Sequence, residues 1–180
     1  MESKLNINKS IIATDYRSKR TPGWIGIIIH HTAVPDGLTS DSLWAKAYEN
    51  IRSYLAKKDD NYVSAHFIIG REGEISELVD PDKYEAFHAG VSSYWHPTFR
   101  KVVPDWNRYA IGIELVGDGN KHFYGEKQME SLISLCRELK DRYSIHPLCI
   151  TGHENISYPR KQDPGARFQW NHLFAGIYVP

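Results

Sequence analysis

The sequence predicts an α/β fold: a single domain in which helices pack against a mixed central β-sheet. Strand-like apolar runs alternate with amphipathic helical segments along most of the 180 residues, and this order of elements is typical of α/β domains. A chain of this length suits one domain that buries roughly 70% of its unfolded surface. No internal repeat, low-complexity segment or linker interrupts the pattern, so residues 1–180 are interpreted as one domain.

The first half of the chain predicts a buried strand, a helix and a hairpin. The nearly continuous apolar run 24–29 is typical of a strand covered on both faces. Over 41–57 the apolar residues recur at helical spacing, which predicts an amphipathic helix. The apolar runs 65–69 and 75–79 flank the glycine-containing loop 70–73, and this arrangement predicts a β-hairpin.

The second half adds two strands and two helices beside a long loop. Residues 88–107 are rich in aromatic residues, proline and serine without a clear period, so we expect a long loop, which in compact domains is often functional. The apolar run 110–116 predicts another strand, and 129–143 predicts a second amphipathic helix. A short strand over 148–150 and a helix within 168–174 complete the prediction.

Composition argues against several partners and locations. Acidic and basic residues balance at 22 each, so nothing indicates binding to nucleic acid or to an anionic membrane. No apolar stretch approaches the roughly 20 residues of a membrane span, and the N-terminal segment lacks an apolar core of secretory-signal length. We therefore expect a protein that is not inserted in a membrane and that acts in the cytoplasm. We also expect a monomer.

Residues near both ends of the chain supply the parts of a hydrolytic zinc site. His30 and His31 end the first apolar strand, while His153 and Asp163 lie near the C-terminus. Two imidazoles and one carboxylate can hold zinc and leave a fourth position for water, whose pKa zinc lowers to near 7. Successive strand side chains point to opposite faces, so only one of the paired histidines can face the site. Taken alone, His153 is explained equally well as a surface loop histidine. Asp163, which precedes a proline and a glycine, is better explained alone as a turn-forming aspartate.

Glu114 is the acidic residue whose position most calls for an explanation. It interrupts the apolar run 110–116, and a carboxylate there is costly to bury unless it is paired or used. Burial would raise its pKa and suit a general base near neutral pH. On a half-exposed strand it would instead face solvent. Lys161, taken alone, is a surface lysine.

Five short segments occur in an order that is specific when taken together. They are V-S-A-H at 63–66, F-H-A-G-V-S at 87–92, I-G-I-E-L at 111–115, T-G-H at 151–153 and R-K-x-D-P-G at 160–165. Together they resemble the zinc-dependent N-acetylmuramoyl-L-alanine amidases, which include phage T7 lysozyme, peptidoglycan recognition proteins and AmpD-type enzymes. The resemblance covers residues 24–170, is nearest to the AmpD type, and implies the amidase type 2, or T7 lysozyme-like, fold.

The resemblance implies a role for each matching residue. His30, His153 and Asp163 correspond to the zinc ligands of the family. Glu114 matches the catalytic glutamate of AmpD-type enzymes, and Lys161 matches the catalytic lysine two residues before the aspartate ligand. The expected cofactor is therefore Zn²⁺.

Other positions refine the comparison or suggest substrate contacts. Ala65 stands where the T7-like branch has tyrosine, and this difference favours the glutamate-using AmpD type. His88 is expected to hydrogen-bond either the substrate or a metal ligand. Tyr62 and Leu115 are further candidate substrate-binding residues. His66 is interpreted as a packed strand histidine, and His31 likewise as structural.

The resemblance implies a hydrolase that cleaves the amide between the lactyl group of N-acetylmuramic, or 1,6-anhydro-N-acetylmuramic, acid and L-alanine of stem peptides. Peptidoglycan fragments, or peptidoglycan itself, would be its substrate, and muropeptide recycling its setting. One alternative is a lytic amidase or phage endolysin, released to the cell wall by a phage lysis system to act on intact peptidoglycan. The other is a non-catalytic peptidoglycan-binding module. Such modules typically lose a metal ligand, so the retention of all three favours an enzyme.

Overall fold

A computed structural model describes residues 5–9, 17–20, 23–34, 37–38, 40–56 and 63–178. The strands among these residues are β1 (Ile7–Asn8), β2 (Arg17–Lys19), β3 (Gly26–His31), β4 (Phe67–Ile69), β5 (Ile75–Glu77), β6 (Tyr84–Ala86), β7 (Ser93–His96), β8 (Lys101–Pro104), β9 (Ala110–Leu115) and β10 (Ile150–Gly152). The helices are α1 (Asp41–Ala56), α2 (Glu126–Tyr143), α3 (His153–Ile156) and α4 (Trp170–Tyr178). A 3-10 turn at Pro147–Cys149 leads into β10.

The central sheet is mixed, as the sequence predicts. Its six strands lie in the order β1-β5-β4-β9-β3-β10. Strands β4, β9, β3 and β10 run parallel, whereas β5 is antiparallel to β4. Since the carboxyl ends of parallel strands meet at one edge of a sheet, groups that follow different strands converge there. The predicted α/β fold class is confirmed.

Burial on both faces explains the continuous apolar runs of β3 and β9. Ile27 and Ile29 contact the core that α2 and α4 form on one face of the sheet. Ile28 points to the other face, where it packs with Ala89 and Trp106. The same alternation applies to β9, because β3 and β9 pair residue by residue from Gly26–Ala110 to His31–Leu115. Each strand therefore presents one set of side chains to the helices and the other set to the opposite face.

Most of the predicted elements are present, with shifted ends. Helices α1 and α2 occupy two of the three segments predicted as helical, although Lys57 lies outside the described residues. Helix α4 overlaps the third, predicted within 168–174, but begins at Trp170 and continues to Tyr178. Strands β4 and β5 form the predicted antiparallel hairpin. The prediction of a strand over 148–150 is wrong in part. The 3-10 turn occupies 148 and 149, and the strand begins at Ile150. In the part of the chain that the structure covers, no helix is both long and apolar enough to span a membrane.

The prediction of a long loop without regular structure over 88–107 is wrong in part. Strands β7 and β8 form an antiparallel hairpin within it, and the hairpin leads into the fully buried Trp106, whose Nε1 donates to the Val103 carbonyl at 2.8 Å. Trp106 packs closely on β3: a Cβ atom on Gly26 would lie only 2.3 Å from its ring. Glycine at position 26 therefore lets this segment cover the face of the sheet opposite α2.

Candidate metal centre and active site

Three neighbouring strands bring the predicted site residues to one edge of the sheet. His30 lies near the end of β3 and is the direct pairing partner of Glu114 on β9. His153 follows β10 and begins α3. Asp163 lies in the loop between α3 and α4, and its carbonyl accepts a hydrogen bond from the Glu154 N–H at 2.8 Å. Paired strand residues share a face of the sheet, so His30 and Glu114 both project away from the α2 side.

His30, His153 and Asp163 form a compact group of possible metal ligands. The atoms His30 Nδ1, His153 Nδ1 and Asp163 Oδ2 lie 3.0 Å from one another, and all three residues are buried. Ligand atoms of a tetrahedral zinc site stand roughly 3.3 Å apart, since zinc–nitrogen and zinc–oxygen distances are about 2.0–2.2 Å. The triangle therefore has the size of one face of a zinc coordination tetrahedron.

In His30 and His153, the hydrogen bond that Nε2 makes decides which ring nitrogen carries the proton and which is free to bind a metal. His153 Nε2 lies 3.1 Å from the Ala89 carbonyl, which can only accept, so Nε2 carries the proton. His88 Nε2 likewise donates to the Ala110 carbonyl at 3.0 Å, which leaves His88 Nδ1 to accept from His30 Nε2 at 2.9 Å. His30 and His153 therefore both direct an unprotonated Nδ1 into the triangle.

The charges in the triangle call for a cation. Two nitrogen lone pairs and a carboxylate oxygen face one another with no hydrogen between them, and such atoms repel at 3.0 Å. Burial above all lowers the pKa of His30 to about 4, so its ring is neutral at neutral pH and available as a ligand. Two imidazoles and one carboxylate are a donor set that suits zinc.

Glu114 lies beside this group on the neighbouring strand β9. The residue is half-buried, and its Oε2 atom is buried with no hydrogen-bond partner among the described residues. Burial first, and then the negative charge of Asp163, raise the pKa of Glu114 to about 8, while Lys161 partly offsets them. Of the two interpretations of Glu114, the observed position favours the partly desolvated one. A carboxylate poised near neutral pH can exchange a proton with water in a reaction.

We expect the Glu114→Gln substitution to stabilise the metal-free protein at neutral and alkaline pH. The folded-state pKa of about 8 lies above the ordinary 4.5, so the wild type loses stability as pH rises from 4.5 through 8. The loss is on the order of 1.4 kcal/mol per unit of pKa shift, or a few kcal/mol at most. Urea unfolding of both EDTA-treated proteins at about pH 4.5 and about pH 8 measures it. A stability difference that does not grow with pH would contradict the expectation.

Lys161 is half-exposed and acts on the site through its charge. The positive charge of its ammonium group lowers the pKa values of both Glu114 and His30. Because Lys161 precedes Asp163 by two residues in the same loop, one segment supplies both a possible metal ligand and a positive charge.

The predicted substrate contacts have different outcomes. Leu115 is fully buried in the core on the α2 side, so its prediction as a substrate-binding residue is wrong. The reason is strand alternation, since Leu115 follows Glu114 and must point to the opposite face. His88 is buried with both ring nitrogens bonded to protein, which favours contact with a metal ligand over contact with substrate. Tyr62 lies outside the described residues.

Two further histidines are structural, in agreement with the sequence analysis. His66 is fully buried; its Nδ1 accepts from the Gly112 N–H at 3.0 Å, and its Nε2 lies 3.2 Å from the Tyr84 carbonyl. His31 points away from His30 and accepts from the Gly119 N–H at 3.1 Å. Neither belongs to the group that could hold a metal.

Asn107, which no sequence pattern indicated, lies behind the possible metal ligands. Its Oδ1 accepts hydrogen bonds from the backbone N–H groups of His88 and Ala89, at 2.8 and 2.6 Å. An asparagine within an aromatic-rich loop gives no signal of this role in the sequence.

A cavity of about 360 Å³ that Ile25, Phe99 and Tyr109 help to line contains none of the predicted site residues.

Comparison with known proteins gives this arrangement a family. Residues 20–166 match the sequence profile of the N-acetylmuramoyl-L-alanine amidase family, amidase type 2. The chain belongs to this family. The amidase is 36% identical over 159 residues to the 1,6-anhydro-N-acetylmuramyl-L-alanine amidase AmpD of Citrobacter freundii, an alignment that covers 86% of the chain and 80% of AmpD. It is 30% identical to the N-acetylmuramoyl-L-alanine amidase AmiD of Escherichia coli, over 82% of the chain and 51% of AmiD.

Solved structures agree with the sequence comparison. The amidase superimposes on the crystal structure of a selenomethionine derivative of AmpD with a TM-score of 0.72 and 31% identity, covering 92% of each chain. AmiD of Escherichia coli, solved with anhydro-N-acetylmuramic acid-L-Ala-D-gamma-Glu-L-Lys, gives a TM-score of 0.64 and 27% identity, over 85% of the amidase and 57% of AmiD. The predicted family, fold and enzyme class are confirmed.

Proposed function

We propose that this amidase uses zinc to hydrolyse the amide between the lactyl group of 1,6-anhydro-N-acetylmuramic acid and L-alanine in soluble muropeptides. The observation that carries the proposal is the buried 3.0 Å triangle of His30, His153 and Asp163 beside Glu114, whose buried Oε2 has no hydrogen-bond partner among the described residues. The activity named for AmpD of Citrobacter freundii supports the choice of substrate, and so does the muropeptide bound to AmiD.

The catalytic roles follow from charge and position. Zinc held by His30, His153 and Asp163 would supply Lewis acidity at the scissile carbonyl. Glu114, whose raised pKa suits proton exchange near neutral pH, takes a proton from the attacking water as the water oxygen bonds to the carbonyl carbon. Lys161 stabilises the negative charge that develops on the carbonyl oxygen. Removal of one such group typically costs roughly 2.7–4 kcal/mol of transition-state stabilisation.

The second half of the reaction returns the proton. Protonated Glu114 donates to the L-alanine nitrogen as the carbon–nitrogen bond breaks. The products are the muramoyl lactyl carboxylate and a stem peptide with a free amino terminus. We further propose that residues 1–180 act as one domain, that the enzyme works as a monomer, and that it degrades soluble fragments in the cytoplasm during muropeptide recycling.

Product analysis tests the proposal. Zinc-loaded protein is incubated separately with soluble anhydro-muropeptides and with intact sacculi, with an EDTA-treated sample as control, and the products are identified by mass spectrometry. We expect free stem peptides from the soluble substrate and none from the EDTA control. Release from sacculi alone would instead support a lytic amidase. The absence of any zinc-dependent product would contradict the enzyme proposal.

A further inference from the structure

The two ligand histidines are held from behind by consecutive residues of one segment. His30 Nε2 lies 2.9 Å from His88 Nδ1, and His153 Nε2 lies 3.1 Å from the Ala89 carbonyl. His30 and His153 come from distant parts of the chain, yet the acceptors that fix their tautomers are neighbours in sequence. The position of segment 88–89 therefore affects both histidines at once.

Asn107 anchors this segment. Its single Oδ1 atom accepts from the N–H groups of both His88 and Ala89, at 2.8 and 2.6 Å, and these two bonds use both of its lone pairs. Other contacts limit how far the segment can move. The Arg160 guanidinium donates to the Ala89 carbonyl at 3.0 Å, and the missing side chain of Gly112 makes room for the His88 ring, which a Cβ atom there would approach within 2.4 Å.

We propose that Asn107 is a positioning residue for the metal site, which acts through His88 and Ala89 on the tautomers of His30 and His153. The inference rests on the zinc ligands of the proposed function, and the hydrogen bonds of Asn107 that carry it go to the backbone of His88 and Ala89. By fixing two backbone amides, Asn107 sets the position of the His88 ring and of the Ala89 carbonyl. Both imidazoles then carry their proton on Nε2 before any metal binds.

Loss of the Asn107 oxygen has a predictable consequence. Without it, the N–H groups of His88 and Ala89 lose their acceptor, and segment 88–89 can shift relative to both histidines within the limits that the Arg160 and Gly112 contacts set. Groups that hydrogen-bond to zinc ligands typically contribute roughly 10–100-fold to metal affinity. Since Asn107 supports the partners of two ligands, we expect the Asn107→Ala variant to weaken zinc binding by roughly that factor.

The test compares Asn107→Ala with a rescue variant and a control. Asn107→Asp keeps an oxygen acceptor at the same position. Ser131→Ala removes a comparable bond between a side chain and the backbone, from Ser131 Oγ to the Gly73 carbonyl at 2.8 Å, outside the site. Zinc affinity is measured by competition with a chelator. Histidine tautomers in the zinc-free proteins are read from long-range proton–nitrogen NMR spectra.

We expect weaker zinc binding and mixed His30 and His153 tautomers in Asn107→Ala only, with the aspartate and Ser131→Ala variants close to wild type. Unchanged affinity and unchanged tautomers in Asn107→Ala would overturn the inference while leaving the proposed function intact. A wild-type protein that binds no zinc would overturn both. If Asn107→Ala does not fold, Asn107→Ser, whose shorter hydroxyl reaches the amides less well, should show the same two changes.

Discussion

Replacement of Glu114 by glutamine should lower kcat on a soluble anhydro-muropeptide by roughly 10²–10⁴-fold, the range that a positioned general base contributes. Glu114 pairs with His30 across β9 and β3, and its buried Oε2 finds no partner in the described part of the chain. Glutamine keeps the size of the side chain but cannot accept the proton of the attacking water. Because Glu114 is not one of the three clustered ligand residues, zinc content should stay at the wild-type level.

A neighbouring acid provides the control for this measurement. Glu154 is also half-buried, and burial together with Asp163 raises its pKa. Glu154→Gln therefore changes the charge near Asp163 without removing the proposed base, and we expect it to retain most of the activity. Wild-type turnover in Glu114→Gln would remove Glu114 from the mechanism, as would equal losses in the two variants.

Replacement of His30 by alanine should abolish zinc binding and activity together. The three atoms of the triangle are mutually 3.0 Å apart, so removal of one leaves two ligands for a metal that proteins usually bind with three or four. The loss of zinc affinity should exceed the roughly 10–100-fold effect of replacing a residue that only hydrogen-bonds to a metal ligand. Metal content after dialysis, and activity with and without added zinc, measure the two effects.

His31 is the matched control, because it adjoins His30 in sequence and lies on the opposite face of β3. Its ring accepts from the Gly119 N–H, which ties it to the loop after β9. We expect His31→Ala to bind zinc as the wild type does. Loss of zinc from His31→Ala together with its retention in His30→Ala would reverse the assignment of the metal ligand.

Strong periodic patterns made much of the fold predictable from sequence. Strands β3 and β9 are apolar up to His30 and Glu114 because both of their faces are covered, and α2 has a regular apolar stripe. Strands β7 and β8 were missed because their four-residue pattern of exposed and buried positions is weak, with Trp95 and Val102 exposed. The two-residue β1 and the three-residue β2 and β6 depend on pairing partners more than on local propensity.

The site residues divide in the same way: some could be predicted from local sequence patterns, and others depend on tertiary contacts. Strand alternation implies that only one of His30 and His31 faces the site, but the choice depends on which face the helices cover. The same alternation excludes Leu115 once Glu114 is assigned to the site. Asn107 lies 19 residues from His88 in sequence, and its role depends on how the β7–β8 segment folds back. Such a contact leaves no local pattern.

Anomalous diffraction at the zinc absorption edge, from crystals grown with zinc, tests the central claim most directly. We expect one strong peak within about 2.0–2.2 Å of His30 Nδ1, His153 Nδ1 and Asp163 Oδ2, with Glu114 outside bonding distance. A peak at other residues, or no peak where the three atoms converge, would contradict the zinc-dependent mechanism.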